Sequence, residues 1–472
     1  MRTIRPLPRR QIVICGNGAS AAVLIHALAR SLREPTTVTV IGEGRHLGEG
    51  IAYSTRHSWH LLNVPAGRMS VEPDAPDQFL QWLARRGIVP QDWDSQFQPR
   101  QLYGQYLRDT LAAAICANPN LDLEIIRSEI IGLVRRQTGW TISFRTGAIH
   151  ADLAVLATGN DMPAPVGLRH GPEIAVSIMD NPWAPLKTRR GDDILVLGTA
   201  LTAVDAVLTL MAHGHRGHIT LLSRRGLLPH VHVPASVVAP LTPPWPRTTH
   251  GLLRAMRLAL GRTPRAEDWQ GFMDAMRPFW PEIWNGLAVV EKRRFLRHGA
   301  AIWNVHRHRL APGAGARIDA ARGDRVTILR GRIAAIARNE DGSLAVEIAG
   351  RDGQRRLDVD RIINCSGPNS DPEKTHDRLT ENIIASRYAR ASAAGVGLDV
   401  DEACRVINRE GEAQRSLFAI GAPTRGRWWE ITAMPEIAQQ ARRLAATMIE
   451  QLDILGKAEA TRPAADQLSA AP

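Results

Sequence analysis

Two short segments of this 472-residue chain place small residues at spacings that suit anion binding by backbone amides. Gly16-Asn17-Gly18-Ala19-Ser20-Ala21 follows the apolar run 11–15 (QIVIC) and precedes the alanine-rich stretch 22–32. That order reads as strand, turn and helix. Gly16 permits a tight turn, Gly18 leaves the backbone open to a pyrophosphate, and small Ala21 lets the helix pack closely on the strand. Ser20 then sits in the first helical turn, whose amides face the anion. Glycine pairs also open helices for purely structural reasons, so the turn gains its meaning from the strand and acid downstream of it. Residues 38–41 (VTVI) read as the next parallel strand, and Glu43 stands 25 residues beyond Gly18, where an acid can bind both ribose hydroxyls of an adenine dinucleotide.

The pattern recurs. Residues 193–197 (DILVL) lead into Gly198-Thr199-Ala200-Leu201-Thr202-Ala203, and 204–211 continue as a helix. Ala200 replaces the middle glycine and makes the approach to a pyrophosphate slightly less open. The following strand, 218–222 (HITLL), ends in Ser223-Arg224-Arg225 rather than in an acid. An acid there would repel a 2′-phosphate, whereas serine and two arginines would hydrogen-bond and neutralise one, which favours NADPH over NADH. The bland reading of Arg224 and Arg225 is a solvated strand end.

The elements that must position these turns also come twice. Residues 130–159 run as alternating strands and end in Ala154-Val155-Leu156-Ala157-Thr158-Gly159. Residues 332–367 do likewise and end in Ile362-Ile363-Asn364-Cys365-Ser366-Gly367. The small termini Thr158, Gly159 and Gly367 let the chain leave a sheet beside a bound nucleotide without a clashing side chain. The repetition predicts an α/β fold with two dinucleotide-binding, Rossmann-like domains, the second inserted in the first. The expected segments are 1–181 and 326–455 for the discontinuous first domain, 182–325 for the inserted one, and 456–472 for a flexible tail.

Within the inserted domain, 226–312 carries Trp245, Trp269, Trp280, Trp284 and Trp303 together with Phe272, Phe279 and Phe295. This helical, aromatic insertion reads either as a lid and pocket for a planar substrate or as a domain-interface core. His306 and His308 flank Arg307 and read as sharing one face of an extended strand. With no further ligand type close by in sequence they predict no metal site, and instead a basic surface toward an anionic small molecule.

Composition narrows the classes. The 44% hydrophobic and 22% charged residues are those of a globular protein long enough for two domains. The formal charge of +12 is spread along the chain, with no dense basic run interleaved with aromatics, so nucleic acid is not the expected partner. No run of ~18 apolar residues marks a spanning helix, and the basic N-terminus lacks the pattern of a signal peptide, which predicts no membrane partner and a cytoplasmic location. Cys15, Cys116, Cys365 and Cys404 lie far apart without a C-x-x-C pair, which removes a disulfide-reductase mechanism. Neither G-x-S-x-G nor H-E-x-x-H occurs, so hydrolase readings have no support. Oligomeric state leaves no mark in the sequence.

The chain resembles the two-dinucleotide-fold flavoproteins, and more narrowly the FAD/NAD(P)-binding group of YdhS-like proteins that includes HpyO-type FAD-dependent urate hydroxylases. The resemblance rests on Gly48-Glu49-Gly50-Ile51-Ala52-Tyr53, on Leu61-Leu62-Asn63-Val64-Pro65 with Met69-Ser70, on Pro99-Arg100-Gln101-Leu102-Tyr103-Gly104, and on Trp429-Glu430-Ile431-Thr432-Ala433. It implies FAD in the first fold, a nicotinamide in the second, and Tyr53, Asn63 and Met69 among the cofactor-binding residues. Related flavoproteins often end their last FAD-contacting strand in Gly-Asp, whereas 417–420 (LFAI) ends here in Gly421-Ala422. Gly421 can still approach the flavin. Pro435-Glu436 opens a helix, whose start is expected to turn Thr432, Ala433 and the neighbouring amides toward the flavin pyrimidine ring.

The implied chemistry is hydride transfer from NADPH or NADH to FAD. The reduced flavin then either inserts oxygen into a small planar molecule, as in a monooxygenase, or delivers electrons to another acceptor. A redox sensor that binds both cofactors without turnover is the non-catalytic alternative.

Overall fold

The computed structural model describes residues 9–167, 175–177, 188–351 and 353–460. Its first sheet is built from short strands, β1 (Arg10–Cys15), β2 (Thr36–Ile41), β3 (Leu121–Ile126) and β7 (Leu153–Leu156), of which residues 12–15, 36–41 and 153–156 are buried throughout. All are parallel, with Ile12 opposite Val38 and Ile14 opposite Val155. Such runs fit a sheet covered on both faces. Ile12 and Ile14 pack with the helices Ala19–Ser31, Arg100–Cys116 and Met434–Ala460. Val13 and Cys15 point the other way, onto the antiparallel strands β4 (Ile130–Arg135), β5 (Trp140–Phe144) and β6 (Gly147–Ala151).

A second parallel sheet repeats the plan with β8 (Ala175–Ser177), β9 (Ile194–Leu197), β10 (Ile219–Ser223), β11 (Val326–Arg330) and β15 (Arg361–Asn364), in the order β11-β10-β9-β15-β8. Ile194 and Val196 face the helices Leu201–Ala212 and Pro312–Ala321. Leu195 and Leu197 face the antiparallel strands β12 (Arg332–Arg338), β13 (Leu344–Gly350) and β14 (Gly353–Val359).

This pairing moves the return to the first sheet far beyond residue 326, where the segment 326–455 was expected to rejoin it. β11 pairs with β10, and β15 pairs with β9. The meander 332–359 therefore serves the second sheet as β4 to β6 serve the first. The chain regains the first sheet only at β16 (Arg405–Ile407) and β17 (Ala413–Ala419), which completes the order β16-β17-β7-β1-β2-β3. The expected boundary at 181–182 lies outside the described residues. At the expected tail, Gly456 to Ala460 continue the last helix, and 461–472 lie outside the described residues.

Between β10 and β11 the insertion is helical, with segments Thr249–Leu260, Ala266–Ala275, Trp280–Gly286, Val289–His298 and Ala300–Arg307. Phe272, Met276 and Trp280 form its core, and Trp284 carries that core onto Trp429 of the first domain. Among the described residues no helix is long and apolar enough to cross a membrane.

Candidate functional site: two glycine turns and the space between them

Gly16 adopts φ +113°, and a Cβ there would lie 2.3 Å from the Ala157 carbonyl oxygen. Only glycine fits that close passage between β1 and the end of β7. Gly18 is extended and precedes the helix Ala19–Ser31 without any side-chain cap, so the first-turn amides remain free to meet an anion. Ala21 is fully buried at the contact between this helix and the sheet. A loop is strapped over the turn by Asn17, whose Nδ2 donates to Gly44 O at 2.7 Å while its carbonyl accepts from Gly48 N–H at 3.0 Å.

Glu43 follows β2 and is exposed. It lines a cavity of about 300 Å³ together with Thr158, Gly159, Asn369, Ala422 and Arg425. The tertiary structure thus brings the acid after β2 to the small terminus of β7. Gly421, with φ +72°, comes so near the first helix that a Cβ on it would sit 2.5 Å from Ser20 Oγ. Its N–H donates to Gln440 Oε1 at 2.8 Å, which ties the β17 terminus to the last helix. An acid directly after this glycine is not needed for that attachment.

The second turn has the same geometry. Gly198 adopts φ +114°, and a Cβ there would lie 2.2 Å from Cys365 O. Ala200 precedes its helix without a side-chain cap. Thr199 donates to Leu227 O at 2.5 Å, and its hydroxyl is also bonded to Ser223 Oγ at 3.0 Å. Ser223 in turn accepts from Gly226 N–H at 3.0 Å, so it shapes the turn that presents the arginines. Arg225 donates to His298 O in the insertion at 2.9 Å, whereas Arg224 is exposed. Gly367, at φ +92°, borders open space beyond β15.

Three residues implied by the resemblance take different places. Tyr53 packs its ring on Tyr103, with centroids 4.8 Å apart, and burial raises its phenol above the ordinary range. The Asn63 carbonyl accepts from His232 Nε2 at 3.0 Å, which ties its loop to the insertion. Met69, implied at the cofactor, is 2% exposed and packs within the core of the first domain.

At the start of the last helix, the Ala433 carbonyl accepts from Ile437 N–H at 3.1 Å, and Thr432 N–H donates to Glu430 O at 2.7 Å. Two carboxylates lie close to this helix start. Glu430 is buried, accepts from Trp303 Nε1 at 2.8 Å and pairs with Arg307; Glu436 pairs with Arg277. Every one of those partners comes from the insertion. His306 and His308 do not share a strand face, because His306 lies in the last turn of the helix Ala300–Arg307 and His308 follows it. The His306 ring stands 4.5 Å from His230, while burial and the nearby Arg307 and Arg425 hold His308 down to about 3. Among the described residues no three His, Cys, Asp or Glu side chains gather as a metal site.

Sequence reasoning missed the residues that join the two domains. His60 is fully buried, with Nδ1 2.7 Å from Thr55 Oγ1 and Nε2 2.8 Å from Thr209 Oγ1. Arg100, at the start of its helix, meets Asp205 of the second domain at 2.8 Å. Pro99-Arg100 stood out through the resemblance and Gly198 to Ala203 through its own turn pattern, and nothing in either local pattern pairs Arg100 with Asp205.

Two sheets of this topology, each with a glycine turn feeding an uncapped helix, define a fold of two dinucleotide-binding, Rossmann-like units. Residues 13–161, which hold the first turn and Glu43, match the family model described as FAD-NAD(P)-binding. The chain is 24% identical to the uncharacterized protein YdhS of Escherichia coli K12, over 47% of this chain and 46% of that relative, so the match spans just under half of each. It is 22% identical to an uncharacterized protein of Mycobacterium tuberculosis H37Rv over 96% of this chain and 97% of that one. Among solved structures, the ornithine N-hydroxylase of Kutzneria sp. 744 superposes with a TM-score of 0.63 at 16% identity, covering 94% of this chain and 100% of that chain. The cadaverine monooxygenase DfoA of Erwinia amylovora, solved with FAD, gives 0.64 at 13% identity over 93% and 94%.

Proposed function

We propose that this chain is an FAD-dependent NAD(P)H oxidoreductase of the monooxygenase type, acting on a small molecule. One observation carries the reading: the same strand, positive-φ glycine and uncapped helix occur twice in one chain, at Gly16 and at Gly198. Two anion-binding helix starts in one chain are what transfer between two dinucleotides requires.

The first unit would hold FAD, with the amides after Gly18 toward its pyrophosphate and Glu43 toward its ribose. Bound FAD supplies acceptance of a hydride and, once reduced, reaction with dioxygen. The second unit would hold the nicotinamide dinucleotide over Gly198, Thr199 and Ala200, with Arg224 toward a 2′-phosphate. Arg277 and Arg307 neutralise Glu436 and Glu430, so these acids do not cancel the positive end of the last helix where Thr432 and Ala433 would meet an anionic ring. The insertion would cover this region through Trp303, bonded to Glu430, and Trp284, stacked on Trp429.

The two structural neighbours are named for ornithine and cadaverine, both amines. The aromatic insertion of this chain is better matched to a planar or anionic small molecule. The test is the visible spectrum and released flavin of the purified protein, then anaerobic reduction by NADPH and by NADH, then labelled dioxygen with candidate substrates. Protein without FAD overturns the reading. Reduction without label in any product makes the chain a reductase.

A further inference from the structure

The helical insertion encloses a second cavity, of about 600 Å³. That volume is within the ~300–1,000 Å³ usual for small-molecule sites. Its wall is aromatic, from Trp269, Trp280, Trp284, Phe295, Trp303 and Trp429. Trp284 and Trp429 stack at 5.0 Å, and Trp280 meets Trp303 edge-on at 4.6 Å. Leu252, Met256 and Leu260, spaced by four along the helix Thr249–Leu260, close the opposite side.

The charged side chains that line this wall have one sign. Its lining includes His250, Arg257, Arg262, Arg294, His298 and His306, and no Asp or Glu among the described residues. Arg294 is paired with Glu291, but Arg257 and Arg262 are exposed.

We infer that this cavity binds a small amphipathic anion, with an apolar, ring-bearing body against the tryptophans and one anionic head at the Arg257–Arg262 rim. The rings match an aromatic body by stacking. The basic rim, unopposed by any lining acid, selects an anion over a cation or a neutral molecule. Binding does not depend on the redox reading; only the name substrate does.

The test is calorimetric titration of the purified holoprotein with naphthoate, naphthylmethanol and naphthylmethylammonium, which share one body and differ in charge. Naphthoate is expected to bind about fivefold tighter than the alcohol, as an exposed charged contact allows, and the ammonium most weakly. Joint replacement Arg257→Ala and Arg262→Ala, both at exposed positions, should remove that gain and leave the alcohol unchanged. Met256→Trp should narrow the cavity between Leu252 and Leu260 and weaken binding of all three. Naphthoate binding no tighter than the alcohol, or binding of all three unchanged by Met256→Trp, overturns the inference. So does capture of anionic vesicles in preference to naphthoate, or a dimer sealed through this face. Flavin reduction by NADPH is read separately in the same preparation, so failure here is distinct from failure of the proposed function.

Discussion

Arg100 and Asp205 form a 2.8 Å ion pair between the helix that follows the first domain's loop and the helix of the second glycine turn, with both side chains largely buried. Burial raises the Asp205 carboxyl, and the Arg100 guanidinium offsets only part of that effect. The pair therefore contributes orientation between the domains more than net stability. Removing one partner leaves a buried charge alone. Asp205→Ala is expected to cost about 3 kcal/mol in urea unfolding, whereas Arg100→Met with Asp205→Leu should recover most of it. Equal losses in the single and double variants would mean that the pair is not coupled.

The two arginines after β10 have separable effects. Arg224 is exposed beside the second turn, and Arg225 is fixed to the His298 carbonyl. Arg224→Ala should reduce NADPH efficiency in anaerobic flavin reduction by about tenfold and leave NADH nearly untouched. Arg225→Ala should affect both nucleotides alike, through the docking of the insertion. A wild type that prefers NADH would refute the assignment of Arg224.

Gly16 and Gly18 are two residues apart and should fail differently. A Cβ on Gly16 meets a carbonyl oxygen at 2.3 Å, whereas the nearest atom to one on Gly18 is Gly50 Cα at 3.8 Å. Gly16→Ala is therefore expected to lower the stability of the apoprotein by at least ~2 kcal/mol. Gly18→Val should leave apoprotein melting nearly unchanged and abolish flavin retention, because its side chain occupies the approach of the pyrophosphate. Flavin content and melting temperature, measured on the same preparations, separate the two.

Acid should loosen the domain junction. Burial, aided by the positive Arg100 and Arg309 respectively, holds His60 and His232 down to about 3. Both stay neutral in the folded protein, while the unfolded chain takes up protons below about 6.5. Stability is then lost as pH falls from that value toward 3, by up to ~1.4 kcal/mol per pH unit for each histidine. Urea unfolding across this range should show the slope, and His60→Gln should reduce it. A flat profile in the wild type would show that neither group is held neutral.

Each dinucleotide turn was legible in the sequence because its signal is local: a β-rich run, glycine at fixed positions and a helix within a few residues. The repeated meanders ending at Gly159 and Gly367 were legible for the same reason. Their repetition did not reveal which sheet each serves. The meander 332–359 belongs to the second sheet because β11 and β15 pair with β10 and β9, a choice made by register between strands over 100 residues apart. Distance in the chain hid His60 with Thr209 and Arg100 with Asp205 as well. It also hid Glu430, whose neutralising Arg307 lies 123 residues away. Burial of a charge or an imidazole is decided by what packs around it, and no local pattern records that. The tryptophans of the insertion show both sides: their number was evident from the sequence, but only packing showed that Trp245 stays in its core while Trp280 belongs to the core and to the cavity wall.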